Sequence, residues 1–271
     1  MKRSLHSVSA ALAALALLAV ATVPATVAAD DMTLDQLVAM NLEAKGGEEA
    51  LRAIESVRVT GTMSMNGGQM TAPFVWMWKA PDRLRLEFTL QGMTGVQAYD
   101  GADGWMVMPF MGKTEAEAMP AEQVKEFAEQ ADFDGPFIDS EEKGYVLAYL
   151  GEAEVDGTPA YKVQVTNKHG DVTFLYLDKD YGLEIQSESK RTMHGQEVES
   201  VTAIGDYKEV GGIMMAHSFD AKLKGMPIGG QTLTFDSVEF GVELPDSQFE
   251  MPAAAPAAGG ETKEQEGGGA R

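Results

Sequence analysis

The chain has 271 residues, with 42 acidic against 21 basic side chains, a net charge of −21 and no cysteine. A surface this acidic repels nucleic acid and anionic lipid headgroups. The missing thiols exclude disulfides, thiol catalysis and lipid attachment to an N-terminal cysteine, so an exported form of the chain must be stabilised by its core alone.

The first 29 residues read as a secretory signal peptide. Lys2-Arg3 is a basic start, Val8 to Val23 is rich in Ala and Leu, and Val27-Ala28-Ala29 is a small-residue cleavage site before Asp30. The stretch is short and Ala-dominated, which argues for export and cleavage after Ala29 and against a stable membrane insertion. Cleavage removes Lys2, Arg3 and no acid, leaving 19 basic against 42 acidic residues and a net charge of −23. Plain solubility accounts for such acidity. At the other end, residues 253–271 are mostly Ala, Gly, Pro, Glu and Lys, with no large apolar side chain. That composition predicts a disordered tail. A single domain, residues 30–252, remains.

The domain opens with helices. Thr33 and Gln36 predict a capping box, and Leu34, Leu37, Val38 and Leu42 follow at helical spacing up to Gly46-Gly47. A second short helix is predicted from Glu48 to Ile54. Strict alternation then begins. Val57, Val59, Gly61, Met63 and Met65 share one strand face, and Asn66-Gly67-Gly68 supplies a hairpin turn. The return strand places Met70, Ala72, Phe74, Trp76 and Trp78 together, and after Pro81-Asp82 come Leu84, Leu86, Phe88 and Leu90. These are antiparallel strands sharing one broad apolar face. The strand around Trp105 is apolar on both faces, so something must lie across the sheet there.

The predicted cover is the segment after Pro120. Val124, Phe127, Ala128 and Ala131 recur at i, i+3, i+4 and i+7, opposite a face of Glu122, Gln123, Lys125, Glu126 and Glu129 expected to be solvated. Thr114 to Met119 is expected to be helical with it, as one lid-like element. Strands resume at Tyr145–Leu150, Ala160–Thr166, Val172–Asp178, Leu183–Ser189, Val198–Ile204, Met215–Leu223 and Gln231–Phe240, between Gly-rich turns. About ten strands at roughly ten-residue spacing, with no strand–helix alternation, predict an α+β fold built on an antiparallel sheet or barrel.

Chemistry-bearing motifs are missing. His169, His194 and His217, the histidines of the domain, stand far from one another and in no ligand spacing, so no metal is expected. The chain has no GxSxG, GxGxxG or P-loop. Carboxylate pairs are expected by chance in so acidic a chain. No catalytic residue and no cofactor is assigned.

Methionine placement stands out. Nine of 17 Met fall between Met63 and Met119, together with Trp76, Trp78 and Trp105. Methionine-rich surfaces accept ligands of variable shape. Met and aromatic stripes are nevertheless usually core, and residue pattern alone favours that reading. The alternative is an apolar sheet face left partly unfilled beneath movable helices. An acyl chain gains about 0.8 kcal/mol per buried methylene, so about sixteen carbons gain roughly 12 kcal/mol before ordering costs. Release would then require a lid that opens.

Several stretches carry a resemblance: Ala44-Lys45-Gly46-Gly47 through Leu51, Ile54 and Val57 to Gly61; Lys79-Ala80-Pro81-Asp82-Arg83-Leu84-Arg85; and Tyr99-Asp100-Gly101 with Gly104-Trp105. Asp134-Gly135-Pro136, Gly151 to Tyr161, Asp206-Tyr207 with Gly211-Gly212-Ile213, and Phe235 to Phe249 with Leu244-Pro245-Asp246 and Pro252 continue it in order. On these stretches the chain resembles the LolA-like outer-membrane lipoprotein-sorting family of periplasmic carriers. The resemblance implies a strongly curved, unclosed antiparallel sheet, a half-barrel with the N-terminal and inserted helices on its concave face. It implies a periplasmic, non-enzymatic carrier of acylated lipoproteins or lipids, with an inner-membrane releasing complex and an outer-membrane acceptor as partners. Relatives of this fold also carry glycolipids or sense envelope stress. No position here matches the family's releasing arginine, and the acidic tail departs from the pattern.

On this reading the lipid-binding face is Met63, Met65, Trp76, Trp78, Leu84, Leu86, Phe88 and Trp105, under a lid of Val124, Phe127 and Ala128. A sensor or scaffold module that binds protein partners instead predicts a filled interior and an exposed apolar patch. A hydrolase needs two acids converging in a cleft with shifted pKa values. An outer-membrane barrel is disfavoured, because Arg and Glu occupy the alternate strand faces.

Overall fold

The computed structural model describes residues 32–193, 196–225 and 230–253. The predicted signal peptide, His194 and the tail beyond Ala253 lie outside them. The chain divides into two compact units at Met32/Thr33, and everything below concerns the second.

The N-terminal helix α1 (Leu34–Ala44) begins at the expected capping box: the Gln36 amide donates to Thr33 Oγ1 at 3.2 Å and the Thr33 amide to Gln36 Oε1 at 2.9 Å. A one-turn helix α2 (Glu48–Arg52) leads into the sheet. Six strands follow: β1 (Ser56–Met65), β2 (Met70–Lys79), β3 (Arg83–Leu90), β4 (Met93–Tyr99), β5 (Gly104–Met108) and β6 (Lys113–Ala118). The chain then crosses through α3 (Ala121–Gln130) and α4 (Ser140–Lys143). The second half contains β7 (Val146–Val155), β8 (Thr158–Thr166), β9 (Val172–Asp178), β10 (Glu184–Met193) and β11 (Gln196–Gly205). After it come β12 (Lys208–Val210), β13 (Ile213–Met215), β14 (Ser218–Leu223) and β15 (Gln231–Phe240).

Thirteen of these strands form one antiparallel sheet in the order β6-β5-β4-β3-β2-β1-β15-β14-β11-β10-β9-β8-β7, and β12–β13 is a separate hairpin. The last strand returns to the middle and pairs with the first, joining the two halves. Nothing pairs β6 with β7 among the described residues, so the curved sheet stays open. The chain that connects these two edges is the α3–α4 crossing. The expected unclosed sheet with helices is the one observed, with more strands than the ten anticipated.

Three local expectations need correction. The segment from Thr114 to Met119 is mostly strand: helix-favouring Ala and Glu yield to pairing of β6 with β5 at the sheet edge. The expected strand from Met215 to Leu223 is two strands, broken at Ala216-His217, where the His217 amide bonds the carbonyls of Gly205 and Asp206 at 3.1 Å. The polar face of α3 is only partly solvated, because Lys125 and Glu129 reach the opposite half of the sheet.

The core lies mainly on the concave face. Val57, Val59, Met63, Phe74, Leu86, Leu233, Phe235 and Val238 are buried together where β1, β2, β3 and β15 meet. Gly61 is needed inside this cluster. A Cβ there would run into the Thr234 carbonyl oxygen, and the Phe74 ring lies over the same spot. The convex face has its own smaller core, where Met77 packs with Leu244 and the fully buried Phe249.

Candidate functional site: a cavity under the crossing segment

Strand register decides which of the predicted face residues share a surface. Val57 pairs with Trp78, Val59 with Trp76 and Met63 with Ala72. Trp76 pairs in turn with Leu86, Trp78 with Leu84 and Phe74 with Phe88. Met63, Met65, Trp76, Trp78, Leu84, Leu86 and Phe88 therefore lie together on the concave face, as expected. Their rings interlock: Trp76 meets Trp78 edge-on at 5.2 Å and Phe74 at 5.4 Å between centroids.

Trp105 does not join them. Tyr99 pairs with Gly104 and Ala98 with Trp105, so Gly104 and Met106 face the concave side and Trp105 the convex one. There it is 3% exposed, donates Nε1–H to the Phe249 carbonyl at 2.6 Å, and lies under the Arg85 guanidinium at 5.5 Å. The strand apolar on both faces is indeed covered on both. One cover is α3 and the other is the segment after Phe240, which residue pattern did not anticipate.

The helix α3 seats its apolar stripe on the β3–β5 half. Phe127 is buried with Leu84, Tyr99, Met119 and Ala131, with Val124 and Ala128 packed alongside. The Trp78 indole donates to the Gln130 carbonyl at 3.0 Å. The same helix is tied to the other half by polar bonds. Lys125 Nζ lies 2.6 Å from Asp171 Oδ2, Asn167 Nδ2 donates to Glu129 Oε1 at 2.6 Å, and Arg191 stands 3.5 Å from Glu129. Burial raises the Glu129 pKa, against the pull of Arg191 and Lys125. The Lys125 hydrogen bond holds Asp171 below the usual carboxylate range. These two acids have pKa values pushed apart, as a hydrolase would require, but both are engaged in holding the helix.

Beside this latch lies a cavity of about 410 Å³. Its floor is the concave face of the second half, from Val165, Thr173 and Leu175 through Ser187 to Ile204 and Phe219. Ile213 and Met215 of the β12–β13 hairpin and Leu51 of α2 form one side, and Phe133, Pro136 and Tyr145 of the crossing segment form the roof. None of the seven concave-face residues lines it. Trp78 instead lines a separate space of about 260 Å³ with Ile54 and Phe133. The Met- and Trp-rich half is filled by its own large side chains and by α3. Room remains where the facing strands carry Val, Thr and Ser.

One end of the cavity is polar and fixed. Lys45 Nζ lies 2.8 Å from Glu184 Oε1, and the Tyr207 hydroxyl donates to the Glu184 carbonyl at 2.8 Å. Burial by itself would raise the Glu184 pKa, but the charge and hydrogen bond of Lys45 outweigh it and leave the carboxylate lowered. Burial and the adjacent Glu184 keep Tyr207 a neutral donor. Among the described residues no group of three or more His, Asp or Glu side chains is placed to hold a metal ion. His217 is buried with Nδ1 2.9 Å from the Met215 carbonyl, and His169 sits on the turn between β8 and β9. The cavity residues were not legible from motif or spacing, since they come from eight elements and carry ordinary side chains.

No protein-family model matches the chain, and no curated protein matches it in sequence. Solved structures do match it. A DUF1329 family protein from Desulfovibrio piger is 15% identical, with a TM-score of 0.59 over 80% of this chain and 96% of that one. A LolA superfamily protein from Nitrosomonas europaea is 13% identical, with a TM-score of 0.57 over 81% and 98%. A provisionally named outer membrane lipoprotein-sorting protein domain from Vibrio parahaemolyticus is 13% identical, with a TM-score of 0.52 over 78% and 97%. At such identities the likeness concerns the fold, and the fold is LolA-like. Among the described residues no helix is long and apolar enough to cross a membrane.

Proposed function

We propose that this chain is an exported, non-enzymatic carrier that shelters an acyl chain of a lipid or lipoprotein for passage toward the outer membrane. The observation that carries the reading is the cavity of about 410 Å³ with a largely apolar floor, roofed by the segment that follows α3, a helix tied to the second half of the sheet by polar bonds. That volume falls in the lower part of the ~300–1,000 Å³ range of small-molecule sites, enough for one chain-sized guest. Displacement of α3 would extend the space onto Met63, Met65, Trp76, Trp78, Leu84, Leu86 and Phe88, with Val124, Phe127 and Ala128 as the face of the lid. Inner- and outer-membrane partners would load and unload it.

The test is direct. Delipidated protein is titrated with a fluorescent fatty acyl probe, and lipid carried through purification is identified by mass spectrometry. Leu175→Trp, which fills the floor, should abolish probe binding without unfolding the sheet. Lipid-free protein that ignores the probe sinks carriage.

A second reading, a module that binds a protein partner, is favoured by one observation. The edge strand β7, whose outer side pairs with no strand among the described residues, exposes Val146 and Leu150, 67% and 49% accessible. It predicts capture of an envelope protein that Val146→Lys abolishes while acyl-probe binding persists.

A further inference from the structure

The charged groups around the cavity are unequally satisfied, and the inequality bears on the head of the guest. Each cation of the wall already has an acid. Lys45 is held by Glu184 at 2.8 Å, and Arg191 faces Glu129 at 3.5 Å. Asp171 is held by Lys125 at 2.6 Å. Asp134 is different. It lies between Phe133 and Pro136 in the roof, half-buried, and among the described residues no side chain pairs with it. The nearby cations are committed elsewhere. Lys143 Nζ bonds Asp132 Oδ1 at 2.5 Å and the Gly135 carbonyl at 3.2 Å, while Arg52 is held at both guanidinium nitrogens by Asp139, at 2.5 and 2.7 Å. Burial raises the Asp134 pKa; Lys143 opposes this and Asp132 adds to it.

A guest with an anionic head would meet Asp134 and find no cation to spare. A cationic head would supply the partner that Asp134 lacks, in a setting where a charge-assisted hydrogen bond counts for more than in water. Resting on the carrier reading, we infer that the cavity takes single-chain amphiphiles with a cationic, ammonium-type head and seats that head against Asp134.

The experiment displaces a neutral fluorescent acyl probe with dodecylamine, dodecanol and dodecanoate at pH 7 and about 0.15 M salt, where long-range attraction to the acidic surface is screened. Dodecylamine should displace at about tenfold lower concentration than dodecanoate, with dodecanol between, a difference of about 1.4 kcal/mol. Asp134→Asn should close most of that gap and leave dodecanol unchanged. Glu141→Gln removes one exposed charge from the neighbouring helix and should leave the gap intact, which separates local pairing from net charge. Equal displacement by amine and acid overturns the inference, as does a gap that Glu141→Gln narrows as much as Asp134→Asn. In both cases bound probe and dodecanol still uphold carriage. Failure of the probe and dodecanol to bind removes the carrier reading and this inference with it.

Discussion

Lys125 and Asp171 stand 2.6 Å apart, and between them runs the boundary of the two halves of the sheet. The helix that carries Lys125 rests its apolar stripe on β3–β5, whereas Asp171 belongs to the turn that joins β8 to β9. A covering element packed greasily on one side and tied by ion pairs on the other is built to hinge. Its polar side breaks at low cost, which leaves the apolar stripe as the contact that a guest must displace.

The first prediction concerns that hinge. Lys125→Ala should cost no more than about 1 kcal/mol of stability, because the pair is part-exposed. It should speed acyl-probe entry and raise amide exchange across Ala121–Gln130 while the exchange of β1 and β2 stays constant. Unchanged exchange in α3 would show that the ion pair does not hold the helix.

Acid should act on the two latch carboxylates in opposite senses. Asp171 has a lowered folded pKa, so its stabilisation is present above its ordinary value near 3.8 and is lost as pH falls through the lower folded value. Glu129 has a raised folded pKa, so its contribution is full below 4.5 and is lost as pH rises through the higher folded value. Asp171→Asn should therefore lower Tm at pH 7, with the loss vanishing only below pH 3.8. Glu129→Gln should be no less stable than the parent at pH 7, and any gain should shrink as pH falls toward 4.5. Thermal melts of both variants from pH 7 to pH 3 check the signs.

Glu184 anchors the far end of the cavity. Removing one partner of a buried pair is costly because the other charge remains, about 3–5 kcal/mol in a dry setting. Lys45 is 28% exposed and recovers some hydration, so Glu184→Ala should cost about 2 kcal/mol. Tyr207→Phe should cost about 1 kcal/mol, as loss of a single hydrogen bond does. Urea unfolding measures both, and a Glu184→Ala protein as stable as the parent refutes the anchor.

Trp105 and Trp78 should behave differently although both were expected on one surface. Trp105→Ala empties a buried convex site and frees the Phe249 carbonyl, so we expect a loss of about 3–5 kcal/mol with acyl-probe affinity retained in the folded fraction. Trp78→Phe removes the bond to Gln130 and should loosen α3 with a loss of about 1 kcal/mol. Calorimetry and probe titration separate the two.

The misplacement of Trp105 shows where residue pattern stops being informative. Alternation sets which side chains of one strand share a face, and in β1 and β3 polarity separates the two faces, whereas β2, with Val75 and Met77 opposite Trp76 and Trp78, is oriented by its pairing with both neighbours. The strand carrying Trp105 is apolar on both faces, so polarity could not orient it. Pairing of Tyr99 with Gly104 across the turn at 100–103 oriented it instead.

Periodicity, turn residues and capping chemistry were enough to establish an antiparallel architecture, the Thr33 cap, the shared face of β1–β3 and an amphipathic crossing helix, while the choice of an open sheet over a closed barrel came from the family resemblance. These are short-range properties, dictated by backbone geometry and by the preference of apolar side chains for one side. The tertiary structure alone decided that the Met- and Trp-rich half is filled and that the space lies against Val165, Leu175 and Ser187. It alone decided that Lys125 meets Asp171 and that Asp134 has no side-chain partner among the described residues. A cavity is the difference between surfaces far apart in the chain, and an ion pair depends on which side chains the sheet register and the crossing bring within a few ångströms. Neither is a property of any single stretch of sequence.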